Sequence, residues 1–145
     1  MTIVGNDIQI GIVGAGLIGL SWAGLFSAFG YQTIVYDPFL KQKDLANKTI
    51  EDTWTSLESL FDDLKNKKEV KFSVDLFDLA GTSFIQENLP EDLNLKREII
   101  SKLEKTVSVE TIIASSTSSF LPSELQECCA NPERVLVCHP MNPPH

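Results

Sequence analysis

The stretch Gly14-Ala15-Gly16-Leu17-Ile18-Gly19 follows the pattern G-x-G-x-x-G, and the residues on both sides of it predict the fold. The β-rich run Ile8–Val13 precedes it and predicts a strand, and the apolar run Leu17–Phe29 predicts a helix. A second β-branched run, Gln32–Tyr36, follows the helix and ends at Asp37. A strand, a glycine turn, a helix and a second strand form a βαβ unit, which predicts a parallel sheet.

The rest of the chain keeps alternating between helical and strand patterns. Further helices are predicted over Asp44 to about Lys65, Asp75–Ala80, Pro90 to about Lys105, and Pro122–Cys129, the last with a capping box at Ser123 and Gln126. Further strands are predicted over Val70–Val74, Ser83–Gln86, Thr111–Ala114 and Arg134–Cys138. This order is typical of an α/β fold of the Rossmann type, with a doubly wound, mostly parallel sheet.

Each glycine of the opening stretch has a predicted role in holding a dinucleotide. Gly14 permits the tight turn, Gly16 lets a pyrophosphate approach the backbone, and Gly19 lets the helix pack closely on the strand. Leu17 and Ile18 open the helix, whose free N–H groups and positive dipole end favour phosphate. The alternative is a helix-packing turn that binds no ligand.

Asp37 completes this dinucleotide pattern. It lies 37 − 19 = 18 positions after Gly19, close to the interval of about 20 expected for a carboxylate that accepts hydrogen bonds from the adenosine ribose. Its charge would repel a 2′-phosphate, and no arginine directly follows it. NAD is therefore the expected cofactor, in preference to NADP.

Composition argues against several other classes of protein. The net charge of −8 is unfavourable for binding nucleic acid or an anionic membrane. The uncharged run between Asp7 and Asp37 is interrupted by glycines, so it predicts a buried strand-helix-strand rather than a membrane span. Three cysteines, two of them adjacent, suit buried, reduced thiols in a cytoplasmic protein, and no metal-ligand spacing is present.

A second group of polar residues follows two predicted strands in the C-terminal half. Ser115–Ser119 follows one strand, and His139 and Asn142 follow another. The carboxyl ends of parallel strands form the ligand crevice of such a sheet. There His139 would accept a hydroxyl proton as hydride leaves the substrate, while Ser118 and Asn142 hold the oxygen. The alternatives are a packing histidine and a serine loop that bonds its own backbone.

At these residues the chain resembles the 3-hydroxyacyl-CoA dehydrogenase family, most of all the branch with carnitine dehydrogenase and lambda-crystallin (L-gulonate 3-dehydrogenase). The resemblance covers essentially all of the chain. It is carried by Gly11–Gly19 with Ser21–Ala23, Phe84–Asn88 with Pro90–Leu93, Ser115–Ser118 and His139–Pro144. It implies that residues 1–145 are an NAD-binding Rossmann domain.

The resemblance also implies roles for individual residues. His139 matches the family's catalytic histidine, and Ser118 its substrate-contacting serine, with Asn142 nearby. Glu91 and Lys96 match positions that contact the cofactor, as do Ser118 and Asn142. The alternative is that Glu91 only suits the first turn of a helix and that Lys96 lies on a solvated helix face.

The family pairs its histidine with a glutamate roughly a dozen residues further on, beyond residue 145. We therefore expect that the domain is incomplete at its C-terminal end, and that a helical domain, which forms the homodimer in the family, is absent from this chain.

The resemblance leaves the substrate open between two classes. In the acyl-CoA enzymes a serine and a lysine contact the CoA, and these positions hold Thr53 and Leu60 here. This departure favours a small free 3-hydroxy acid, carnitine- or gulonate-like, over an acyl-CoA. A third alternative is a non-catalytic, crystallin-like protein that keeps the nucleotide fold for a structural role.

Overall fold

Six parallel strands form one sheet in the computed structural model, which describes residues 8–39, 43–62, 64, 66–141 and 144. The strands are β1 Gln9–Val13, β2 Gln32–Tyr36, β3 Val70–Ser73, β4 Phe84–Glu87, β5 Ile112–Ser115 and β6 Val135–Val137. They lie side by side in the order β3-β2-β1-β4-β5-β6. All neighbouring strands are parallel, which confirms the predicted doubly wound α/β sheet.

Four α-helices and two short 3-10 helices connect the strands. They are α1 Leu17–Ala28, α2 Lys43–Glu58, α3 Leu93–Thr106 and α4 Pro122–Gln126, with 3-10 turns at Leu76–Leu79 and Pro132–Arg134. The helix predicted from Asp44 to about Lys65 ends earlier, at Glu58. Leu60, which continues its apolar spacing, is 65% exposed, so burial gives no reason to extend the helix.

The caps of the later helices differ from the sequence-based prediction. Asp92 precedes α3 and accepts a hydrogen bond from the backbone N–H of Leu95, so it is the N-cap rather than a helical residue. The capping box predicted at Ser123 and Gln126 is wrong. Ser123 lies inside α4, and the Glu124 side chain accepts from the backbone N–H of Leu121 instead.

Each face of the sheet has its own apolar core. On one face α1 and α2 cover the strands, with Ile12, Leu20 and Ile50 in the centre. On the other face α3 and α4 pack on Ile85 and Ile113. The strands are covered on both sides, which explains their near-continuous apolar sequences. The carboxyl ends of the strands stay free of this packing and form the edge where the polar residues gather.

Composition also raised the questions of a membrane span, a metal site and the state of the cysteines, and the described residues bear on each. No helix among them is long and apolar enough to span a bilayer, and no cluster of three or more acidic, histidine or cysteine side chains among them could hold a metal ion. The cysteines are all unpaired, but the expectation that they are buried is wrong, because Cys128 is exposed and Cys129 and Cys138 are only partly buried. Burial raises the pKa of the Cys129 thiol to about 11.

Candidate functional site

The glycine turn after β1 is shaped by two glycines that no other residue could replace without strain. Gly14 has a φ of +94°, a conformation that favours glycine, and its N–H donates to the carbonyl oxygen of Tyr36 at 2.9 Å. A Cβ atom on Gly19 would overlap the carbonyl oxygen of Gly14. These two glycines therefore serve the close packing of α1 against the strand.

Gly16 has a different environment from its two neighbours in the motif. It lies at the N-cap of α1 with extended backbone (φ −74°, ψ 177°) that any residue could adopt. A Cβ atom at Gly16 would meet no atom within 4 Å. The space in front of the helix N-terminus is thus open to solvent, with Leu17 exposed and Ile18 half-buried beside it. Such an opening fits the approach of a phosphate to the backbone.

Asp37 is linked to the glycine turn across the end of the sheet. Its Oδ2 accepts a hydrogen bond from the backbone N–H of Ala15 at 2.9 Å, and its Oδ1 accepts from the N–H of Phe39 at 2.8 Å. It lines a cavity of about 430 Å³ together with Tyr36, Pro38, Phe39, Leu89, Pro90, Leu95, Glu98, Ile99 and Lys102. The aromatic and aliphatic side chains of this cavity, together with the Asp37 carboxylate, suit a base and its ribose.

A second cavity of about 480 Å³ lies at the ends of the other strands. Its lining includes Ile18, Asn88, Leu89, Pro90, Glu91, Ser116, Ser118, His139, Pro140 and Met141. The structure thus brings together the glycine turn and the predicted site residues Glu91, Ser118 and His139. Asn142 lies outside the described residues. Leu89 and Pro90 line both cavities, so the two spaces adjoin and together suit the two halves of a dinucleotide.

Lys96 is buried, contrary to the alternative that placed it on a solvated helix face. Its side chain is 1% exposed, and that of its partner Glu87 is 0% exposed. The Lys96 Nζ donates to both carboxylate oxygens of Glu87, at 3.0 and 3.2 Å, and to the carbonyl oxygen of Leu89 at 2.9 Å. Glu87 also accepts from the Leu89 N–H at 2.5 Å and from the Ser115 hydroxyl. Lys96 is therefore placed behind the cavity wall and outside its lining.

Glu91 connects this buried pair to the cavity. Its Oε1 lies 3.3 Å from the Lys96 Nζ, and its Oε2 accepts from the Thr117 hydroxyl at 2.8 Å. Burial raises the pKa of Glu91, but the hydrogen bond from Thr117 and the charge of Lys96 outweigh it and leave the pKa below its ordinary value. Glu91 is thus an ionised carboxylate in the wall of the cavity that contains His139.

Sequence reasoning missed several polar residues at the end of β4. Gln86, Glu87 and Asn88 are consecutive, and Asn88 and Ser116 both line the cavity. The sequence did contain a signal for them. Polar residues are seldom buried, so three in succession at the end of a buried strand indicate a functional site. Strand periodicity carries no information about such a cluster, since its partners lie on other strands.

Comparisons with known proteins agree with this geometry. Residues 9–145 match the sequence profile of the family described as 3-hydroxyacyl-CoA dehydrogenase, NAD binding domain. An L-carnitine dehydrogenase of Bacillus cereus is 39% identical over 141 residues, covering 95% of this chain and 43% of that protein. A lambda-crystallin homolog of Rattus norvegicus is 37% identical, covering 92% of this chain and 44% of that protein.

A solved structure gives the same result for the fold. The NAD⁺-dependent dismutase 5-formyl-3-hydroxy-2-methylpyridine 4-carboxylic acid 5-dehydrogenase superposes with a TM-score of 0.86 at 29% identity, covering 94% of this chain and 45% of that one. The chain thus spans less than half the length of each of these three relatives. The matched profile is that of an NAD-binding domain, so NAD is the cofactor of this fold, and the chain belongs to the 3-hydroxyacyl-CoA dehydrogenase family.

Proposed function

We propose that this chain is the cofactor-binding part of a dehydrogenase that oxidises the 3-hydroxyl group of a small 3-hydroxy acid. One observation carries the proposal. His139 and Ser118 line the same cavity as Ile18 of the glycine turn, so a base and a hydroxyl lie at one end of the dinucleotide site. The two relatives named above, an L-carnitine dehydrogenase and a lambda-crystallin homolog, support the choice of family branch.

The residues around the glycine turn would hold the cofactor. Gly16 leaves room for the pyrophosphate, while Gly14 and Gly19 let the turn and α1 pack closely. The N–H groups of Leu17 and Ile18 at the start of α1 would face the pyrophosphate. Asp37 would accept hydrogen bonds from the adenosine ribose in the cavity of about 430 Å³. Bound NAD supplies the hydride acceptor.

The residues of the second cavity would bind and activate the substrate. The exposed imidazole of His139 would take the proton of the substrate hydroxyl as the hydride leaves the adjoining carbon. Ser118 would hold the same oxygen, and we propose the same role for Asn142. Glu91 would contact the cofactor near the reacting end, with Lys96 holding its carboxylate from behind.

The environment of Thr53 supports a small substrate over an acyl-CoA. Thr53 is buried, and its Cβ would lie 2.7 Å from a Cβ atom built on Gly24, so it fills the contact between α2 and α1. Its hydroxyl donates to the carbonyl oxygen of Thr49 at 3.0 Å. A side chain held in this way is not available to contact CoA.

A substrate panel tests the proposal. The protein that carries this chain would be incubated with NAD and, in turn, L-carnitine, L-gulonate and a 3-hydroxyacyl-CoA, with NADH absorbance as the readout. Turnover of a free 3-hydroxy acid with little turnover of the CoA thioester supports the proposal. A preference for the thioester would show an acyl-CoA dehydrogenase. No turnover by a folded protein that binds NAD would favour the structural, crystallin-like alternative.

Two further expectations follow from the resemblance. We propose that the full-length protein is a homodimer, as in the family, and that it acts on a small molecule in the cytoplasm. Size-exclusion chromatography with light scattering tests the first. The unpaired cysteines are in keeping with the second.

A further inference from the structure

Gln86 has a buried side-chain amide in the centre of the sheet. This amide forms hydrogen bonds to residues that directly follow β5 and β6. Its side chain is 0% exposed at the end of β4. Its Nε2 donates to the hydroxyl oxygen of Ser116 at 2.7 Å and to the backbone carbonyl oxygen of Cys138 at 3.1 Å. Ser116 follows β5 and lies two residues before Ser118. Cys138 follows β6 and directly precedes His139.

The directions of these hydrogen bonds are fixed by chemistry. The Cys138 carbonyl can only accept, so the Gln86 group that faces it must be the NH₂. Both Nε2 protons are then used, and the Ser116 oxygen must accept one of them. The Ser116 hydroxyl proton is thereby left for the Asn88 Oδ1, at 2.6 Å.

The same reasoning fixes the amide of Asn88 and closes a ring. Because its Oδ1 accepts from Ser116, its Nδ2 must point the other way, and it donates to the backbone oxygen of Gln86 at 2.8 Å and of Val13 at 3.4 Å. The ring runs from Gln86 through Ser116 and Asn88 back to Gln86. It connects the ends of β1, β4 and β5, and the bond to Cys138 adds β6.

This arrangement has an energetic cost. The Oε1 of Gln86 is buried, and it accepts no hydrogen bond from the residues that the structure describes. A buried polar atom without a partner costs free energy, and in a folded protein it requires an explanation. An apolar side chain would fill the same space without that cost, so the amide is best explained by the two bonds that its Nε2 makes.

We infer that Gln86 is a positioning residue that sets the place of His139 relative to Ser118, an inference that rests on the proposed function. Its amide fixes the backbone one residue before the base and, through Ser116, the loop two residues before the serine. A catalytic group loses effectiveness when it is misplaced by as little as 1 Å. Gln86 itself does not line the cavity and would touch neither the cofactor nor the substrate.

The test uses Gln86→Met, which keeps the length of the side chain but removes both donors. The matched control is Ile85→Val, which trims the core at the neighbouring position of the same strand. NMR of the full chain would follow the imidazole signals of His139, identified by their loss in His139→Gln, and the amide signal of Ser118. We expect Gln86→Met to shift the signals of both residues and Ile85→Val to leave them nearly unchanged.

Ligand titrations give a second readout that a general loss of stability would not reproduce. We expect Gln86→Met to weaken NAD binding several-fold, because it displaces the loop of Ser118, a proposed cofactor contact. ADP-ribose, which lacks the nicotinamide, should bind within about twofold of the unaltered chain. Unchanged signals of His139 and Ser118, or equal weakening for both ligands, would overturn the inference and leave Gln86 a structural residue.

A second variant covers the case in which Gln86→Met does not fold. Ser116→Ala removes the hydroxyl from the ring but leaves the bond from Gln86 to Cys138, so the Ser118 signal should shift much more than that of His139. Shifts of equal size at both would overturn the inference. Failure of the proposed function is seen separately, in the substrate panel, as absence of turnover of every free 3-hydroxy acid whatever the NMR comparison shows.

Discussion

The carboxylate of Asp37 accepts a hydrogen bond from the backbone N–H of Ala15, at 2.9 Å, so the end of β2 is tied to the glycine turn. Asp37 therefore holds the turn, and we propose that it also presents negative charge to the adenosine ribose. A variant that separates these two roles is Asp37→Asn, which keeps one side-chain oxygen to accept from the Ala15 N–H but removes the charge and the bond from the Phe39 N–H.

The first prediction concerns the choice of cofactor. We expect the unaltered chain to bind NAD more tightly than NADP, because the Asp37 charge repels a 2′-phosphate. Asp37→Asn should narrow this difference mainly by improving NADP binding, and Asp37→Ala should also weaken NAD binding. Calorimetric titration with both cofactors measures the ratio. Equal affinities of the folded, unaltered chain would contradict the role of Asp37.

The second prediction contrasts two glycines of one motif. Gly16→Val should weaken NAD binding by about tenfold or more, equivalent to about 1.4 kcal/mol of binding free energy. Because the space around Gly16 is open, the free energy of unfolding should change only by the loss of a favoured N-cap residue, about 1 kcal/mol or less. Gly19→Ala is the matched control. Its Cβ would overlap the Gly14 carbonyl oxygen, so it should lower the stability itself. Normal NAD affinity in Gly16→Val would show a packing turn only.

The third prediction concerns the buried pair of Lys96 and Glu87. Lys96→Met leaves the Glu87 carboxylate buried without its cation, and such a change costs about 3–5 kcal/mol. The double variant Lys96→Met with Glu87→Gln removes both charges and should recover a substantial part of this loss. Urea unfolding of both single variants and the double variant gives the coupling free energy. A double variant whose loss of stability equals the sum of the two single losses would show that the charges are not coupled.

The fourth prediction concerns pH. The pKa of Glu91 is lowered in the folded chain, so its ionised form stabilises the fold at pH values above the ordinary 4.5. This contribution is lost as the pH falls below 4.5 and through the folded-state pKa. We expect Glu91→Gln to be less stable than the unaltered chain near neutral pH and the difference to shrink in acid. Glu110→Gln, at an exposed turn, is the control. A difference that does not vary with pH would contradict this prediction.

The fifth prediction concerns the proposed base. In the protein whose activity the substrate panel establishes, His139→Gln should lower kcat by about 10²–10⁴, the usual contribution of a positioned general base. NAD affinity should stay close to that of the unaltered protein, because the main contacts proposed for NAD are at the glycine turn and Asp37, and His139 is not one of them. Stopped-flow turnover and NAD titration measure the two effects separately. Near-normal turnover would remove His139 from the mechanism.

The fold could be predicted from sequence because its signals are local. The glycine stretch, the runs before and after it, and the later alternation of helices and strands each depend on neighbouring residues, and the order of elements is confirmed. The boundaries were predicted less exactly, and the strand predicted over Thr111–Ala114 is displaced by one residue, to Ile112–Ser115. The strand predicted over Ser83–Gln86 is displaced by one residue to Phe84–Glu87, since a buried glutamate does not look like part of a strand.

The site was only partly predictable, for the same physical reason. The parallel sheet predicted that Ser118 and His139 would lie at one edge, and the structure places both in one cavity. Their catalytic roles stay predictions, as does any role of Asn142. The burial of Lys96 depends on Glu87, which lies nine residues earlier on another element. The hydrogen bonds of the Gln86 side chain depend on residues that follow two strands further along the chain. Periodicity within one element cannot reveal such pairings.

The short segment Leu89–Pro90 faces both cavities and is anchored by its own backbone. The Leu89 N–H donates to Glu87, and its carbonyl oxygen accepts from Lys96. A substitution at Leu89 or Pro90 therefore acts on both ends of the cofactor site, because the two cavities share this wall. Phe39 and Met141 each border a single cavity. Engineering that aims to alter only one end of the site should accordingly change these outer positions and leave Leu89–Pro90 intact.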